Sequence, residues 1–74
     1  MNVATKEQIK TMKAMYPVGS RVVLDEMKDT QAPAIGTHGT VLGVDDIGSL
    51  LVRWDNGSGL HVLFGIDRCH RVIA

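Results

Sequence analysis

The sequence predicts a small, mainly β domain led by one α-helix, and three observations carry that prediction. All eight glycines fall between Gly19 and Gly65. Within that stretch apolar positions shift toward alternation, as half-buried strands require. Ahead of it, apolar residues recur at helical spacing. At 74 residues the chain supports one modest core and no second domain, because a chain of this size buries only roughly 60% of the surface its unfolded form exposes.

The predicted helix occupies residues 1–15, and a β domain occupies 16–74. Thr5 and Gln8 have capping-box spacing, in which the hydroxyl accepts from the N3 amide and the Gln side chain reaches back to the cap. Ile9, Met12 and Met15 form an apolar stripe, with Lys6, Lys10 and Lys13 mainly off it. Tyr16-Pro17 stops the helix, since the residue before proline is pushed out of the α region and proline lacks a donor. The methionine stripe either covers the core or docks a second subunit through its adaptable side chains.

Short strands are expected near residues 20–25, 39–44, 50–54, 60–64 and 69–73. Glu26 to Thr37 is long for a hairpin connection and has the length of a functional loop. Asp45-Asp46-Ile47-Gly48 and Asp55-Asn56-Gly57-Ser58-Gly59 carry turn chemistry, since Asn and Gly tolerate positive φ. A two-residue turn at Asn56-Gly57 would mix apolar and polar faces. A five-residue loop from Asp55 to Gly59 instead pairs Trp54 with Leu60, Val52 with Val62 and Leu50 with Phe64, giving one apolar face. That register sets Arg53 beside His61 and Leu51 beside Leu63, and the exposed leucines read as a subunit contact together with Met12 and Met15. Five short strands, a long first loop, two hairpins and a break at Gly65-Ile66-Asp67 are the layout of an SH3-like barrel, with a strongly twisted antiparallel sheet packed on the helix as the competing architecture.

Composition narrows the function. Eight basic residues balance eight acidic ones, whereas nucleic-acid binders usually show a basic excess. The charge is uneven: residues 1–15 hold three lysines against one glutamate, a net of +2, and residues 16–74 hold five basic against seven acidic residues, a net of −2. No apolar run approaches the roughly 18 residues that cross a bilayer, and the first residues lack a secretory apolar stretch, so a cytoplasmic location is expected. The single cysteine, Cys69, forms no internal disulfide.

Catalytic and metal chemistry find little support. Cys69 and His70 are neighbours on a strand and point to opposite faces, so they do not form a nucleophile–base pair. His38, His61, His70 and Cys69 lack the paired spacing of a zinc site, and Asp45-Asp46 with Gly48 is too short for a calcium loop. Gly36-Thr37-His38-Gly39 is a weak phosphate-cradle candidate without a following helix. The expectation is a non-enzymatic protein with no cofactor. The candidate ligand set is cationic and aromatic: Arg53 and Trp54, His61, then Arg68, His70 and Arg71, with Tyr16 as a second stacking face. Planar guanidinium and imidazole groups beside an aromatic ring suit a phosphorylated, base-bearing ligand. The competing account makes Trp54 the core residue and leaves the arginines solvated or paired with Asp25, Asp55 and Asp67.

Tyr16-Pro17-Val18-Gly19 with Arg21-Val22, Ala32-Pro33, Gly36-Thr37-His38-Gly39-Thr40-Val41, Val44-Asp45-Asp46-Ile47-Gly48 and Trp54-Asp55-Asn56-Gly57-Ser58 occur in this order over about two thirds of the chain. In these blocks the chain resembles a family of small uncharacterised proteins of phages and mobile elements from Firmicutes-type hosts, known only as a domain of unknown function. It departs from the family at Ala34, where members carry a second proline, and in the closing segment from Arg68 to Ala74. Gly39-Thr40-Val41 through Trp54-Asp55 is also similar in shape to KOW and related SH3-like modules. The resemblance implies a mobile-element setting and a β-rich fold, and it supplies no activity. The expected function is therefore host-directed binding: sequestration of a nucleotide-type immune signal or a host defence protein by a homo-oligomer. The alternative is an SH3-like module bound to nucleic acid or to a larger phage or plasmid machine.

Overall fold

The computed structural model describes residues 4–72. The first three residues of the expected helical segment, and Ile73 of the expected last strand, lie outside the described residues. Helix α1 spans Lys6–Met15 and begins with the expected capping box. The Gln8 amide donates to Thr5 Oγ1 at 3.1 Å, and the Thr5 amide donates to Gln8 Oε1 at 2.8 Å. Its last turn closes through the Tyr16 amide on the Met12 carbonyl before Pro17. No residue within α1 is fully buried; Met12 and, just past its end, Tyr16 pack partly buried against the core.

Four strands follow: β1 (Arg21–Glu26), β2 (His38–Val44), β3 (Leu50–Trp54) and β4 (Arg68–Arg71). They form one antiparallel sheet in the order β3-β2-β1-β4. The mainly β expectation holds, as an open four-stranded sheet with one helix. Val22 and Leu24 of β1, Val41 of β2, and Leu50, Val52 and Trp54 of β3 point to one face and form the core with Val62. Alternate residues Arg21, His38, Leu42 and Arg53 are exposed on the other face, as a period of two dictates. No helix among the described residues is long and apolar enough to cross a membrane.

The segment expected as a fifth strand, 60–64, contributes only a bridge, in which Leu50 and Val62 exchange two backbone hydrogen bonds of 2.9 Å. This corrects the expected register, which set Val62 opposite Val52 and Leu50 opposite Phe64. The cause is the turn. The Gly57 amide donates to the Trp54 carbonyl and the Trp54 amide to the Ser58 carbonyl, both at 3.0 Å, with Gly57 at φ +93°. Three residues, Asp55 to Gly57, therefore make the loop, the length at which hairpins place a glycine in a left-handed conformation. The shift from the expected register is two residues, so the apolar face survives. Counted from the bridge, Leu51 and not Arg53 falls opposite His61, and neither the Arg53–His61 pair nor the Leu51–Leu63 pair forms.

Trp54 is 1% exposed and its indole N–H donates to the Leu60 carbonyl at 2.7 Å. Beyond the bridge, the chain turns at Gly65, φ +76°. Asp67, itself buried, accepts the Leu63 amide on Oδ2 and the Lys28 amide on Oδ1, each at 3.0 Å. One carboxylate thus ties the 60–67 segment to the loop after β1, satisfying two backbone donors that the fold would otherwise strand. Truncating Trp54→Ala removes the largest core side chain, and chemical denaturation of that variant is expected to show a loss of about 3–5 kcal/mol; a variant of unchanged stability would refute the core assignment.

Candidate functional site

The strand order separates the expected ligand residues. Arg53 and Trp54 lie on β3 at one edge of the sheet, whereas Arg68, His70 and Arg71 lie on β4 at the other edge. Three strand spacings, about 14 Å, divide them. Trp54 presents no free ring face, since it is buried in the core, and His61 lines a separate recess with Met27, Leu60 and Ile66. The seven expected residues therefore do not make one site. Sequence alone carried no signal of this split, because strand adjacency is a tertiary property.

What the fold does assemble is a cleft between the end of α1, β4 and the 62–68 segment. It has a volume of about 250 Å³ and is lined by Met12, Tyr16, Leu50, Val62, Phe64 and Cys69, with Asp25, Asp67 and Arg68 among its polar neighbours. Tyr16 and Arg68 of the expected set meet here. Tyr16 is placed by the proline stop, which turns the chain just as the helix reaches the sheet. Arg68 faces Glu26 across the β1–β4 pair, where a bulge between Leu24 and Glu26 shifts the register, and its guanidinium donates to Glu26 Oε1 at 3.1 Å. His70 Nδ1 lies 2.9 Å from the Asp25 carboxylate, and Arg71 reaches the Met15 carbonyl at the helix end, at 3.4 Å. Of the carboxylates expected to pair with arginines, Asp55 does so, with Arg21, whereas Asp25 pairs with His70 and Asp67 accepts two backbone amides.

Burial dominates the electrostatics of the two titratable groups that line the cleft's apolar wall. Burial pushes the Cys69 thiol up to about 11, with the Asp25 charge adding to the rise. Burial also raises the Tyr16 phenol, reinforced by Cys69 and Asp25. Both groups are neutral near pH 7, and a protonated thiol is a poor nucleophile. Among the described residues no three His, Cys, Asp or Glu side chains converge as metal ligands.

The expected contact residues also scatter. Met15 is 56% and Leu63 42% exposed, while Met12 and Leu51 are half-buried. Met12 and Leu63 border the cleft, and Leu51 sits on β3 away from them.

At pH 8 the raised thiol leaves Cys69 with about a hundredth of the thiolate of an ordinary cysteine. Iodoacetamide is expected to alkylate the folded chain about a hundredfold more slowly than the urea-unfolded chain; equal rates would contradict the burial of this thiol.

No curated protein and no solved structure matches the chain. A family model does match, over residues 5–72, and it includes the Tyr16-Pro17 stop, the four strands and every residue that lines the cleft. The chain belongs to the family described as a domain of unknown function, DUF4314.

Proposed function

We propose that this is a non-enzymatic binding protein of a phage or mobile element, acting in the host cytoplasm by sequestering a nucleotide-type immune signal, with a host defence protein as the other target class. The single observation that carries the reading is the cleft, where an aromatic face, a polarisable methionine and an arginine surround an open apolar space of about 250 Å³. An apolar cavity of about 150 Å³ holds one benzene ring, so this space suits a nucleobase. Tyr16 supplies a stacking face and Arg68, on the rim, a planar fork for a phosphate. A sponge needs affinity and copy number, and the protonated Cys69 fits that role better than it fits catalysis.

One copy encloses little ligand. The apolar stripe of α1 holds no fully buried residue, Met12 and Leu63 line the cleft, and Met15 on the same helix is exposed. A second copy seated there completes the enclosure, and a helix of net +2 against a body of net −2 favours such docking. The succession of segments, 60–64 beside β3 and then β2, β1 and β4, supports an SH3-like, incompletely closed barrel. That succession also favours the second reading, a KOW-like module on nucleic acid or a phage or plasmid machine, but the division of basic residues between two sheet edges weighs against a phosphate-tracking stripe.

Calorimetric titration of the purified chain with a panel of linear and cyclic nucleotides, coupled to light scattering, tests the reading. Saturable binding by a multimer is expected, weakened about tenfold or more in Tyr16→Ala and Arg68→Ala with the circular dichroism unchanged. A strict monomer that retains no nucleotide would overturn it.

A further inference from the structure

The sheet face away from the core carries a separate cluster of charge. The β1–β2 and β2–β3 registers place Arg21, Thr40 and Arg53 in one row across three strands, with neighbouring side chains about 5 Å apart. Arg21 is already clamped. Its Nη1 donates to Asp55 Oδ1 and to Thr40 Oγ1, each at 2.9 Å, and its Nη2 donates to the other Asp55 oxygen. The carboxylate is held below its ordinary range, chiefly by the hydrogen bond from Arg21, with the charges of Arg21, His38 and Arg53 adding to it.

One carboxylate therefore faces two arginines and a histidine. Arg53 makes no ion pair and no side-chain hydrogen bond among the described residues. Asp55 neutralises one guanidinium, and the surplus positive charge is Arg53. These groups border an open groove of about 570 Å³ that Gly57 also lines, a position where even an added Cβ would meet nothing within 4 Å.

We propose that this groove is an oxyanion site that takes the phosphate of a small phosphorylated molecule. Arg53 supplies the uncommitted fork, which matches two phosphate oxygens at once. Arg21 is held in place before the ligand arrives, so less side-chain freedom is lost on binding. The Thr40 oxygen accepts from Arg21, which leaves its own proton to donate to a third phosphate oxygen. Asp55 sets the selectivity, because it fixes Arg21 and limits the net charge to that of a single compact anion. A nucleic-acid backbone is a poorer fit: the row ends at Arg53, and Arg68 and Arg71 stand on the opposite edge of the sheet.

The test is an NMR titration of the full, isotope-labelled chain with sodium pyrophosphate at low ionic strength, beside a short DNA duplex. Pyrophosphate carries no base, so the outcome is independent of the cleft described above. Saturable shifts are expected at the amides of Thr40, Arg53 and Asp55. Arg53→Gln and Thr40→Val, both on the exposed face, are expected to weaken binding about tenfold while keeping the native spectrum elsewhere. Absence of saturable shifts, unchanged affinity in Arg53→Gln, or binding of the duplex without binding of pyrophosphate would overturn the proposal.

Discussion

The packing of Trp54 over Gly39 is the contact on which the rest of the structure depends. The two residues are cross-strand partners on β3 and β2, and a Cβ at position 39 would lie 2.6 Å from Val52 Cγ1 and 2.7 Å from Trp54 Cε3. Only glycine lets the indole lie against the neighbouring backbone at that distance. With the ring seated there, its N–H reaches the Leu60 carbonyl, and the chain after the β3 turn is drawn back along the sheet. Val62 then meets Leu50, and the core closes on its open side.

The cleft is a consequence of that closure. Its inner wall is Leu50 and Val62, and its outer wall is Phe64 with Met12 and Tyr16. Asp67 steadies the wall by holding Leu63 and Lys28 together. The helix is less firmly seated, as it packs with no fully buried residue. Elements with few buried contacts open at lower free energy than the strands they lie on, and the cleft joins a lightly buried helix at its mouth to the fully buried Leu50 at its floor. The cationic row on the other sheet face is set by different means, a cross-strand register and one shared carboxylate.

Local chemistry was legible in the sequence. The Thr5–Gln8 box, the Tyr16-Pro17 stop and the position of β3 follow from short-range rules, as does the apolar identity of Leu50, Val52, Trp54 and Val62 as one face. The turn after Trp54 was not, because loops of three and five residues keep the same face parity and differ only in which backbone groups close the turn. Of the candidate residues, Tyr16 and Arg68 converge, while Arg53 parts from them through strand order, His61 lines a separate recess, and Trp54 is consumed by the core. Arg21 and Asp55 stand 34 positions apart, so nothing local announced their pairing, and Asp67, read as a partner for the arginines, is taken up by two backbone amides instead.

Native-state hydrogen exchange tests the central place of Trp54 most directly. The indole N–H, together with the Leu50 and Val62 amides, is predicted to exchange only through global unfolding, at the rate of the slowest β1 and β2 amides. Exchange of the indole and Val62 protons far faster than those amides, under native conditions, would show that the 60–64 segment is not held by the tryptophan and that the cleft lacks its wall.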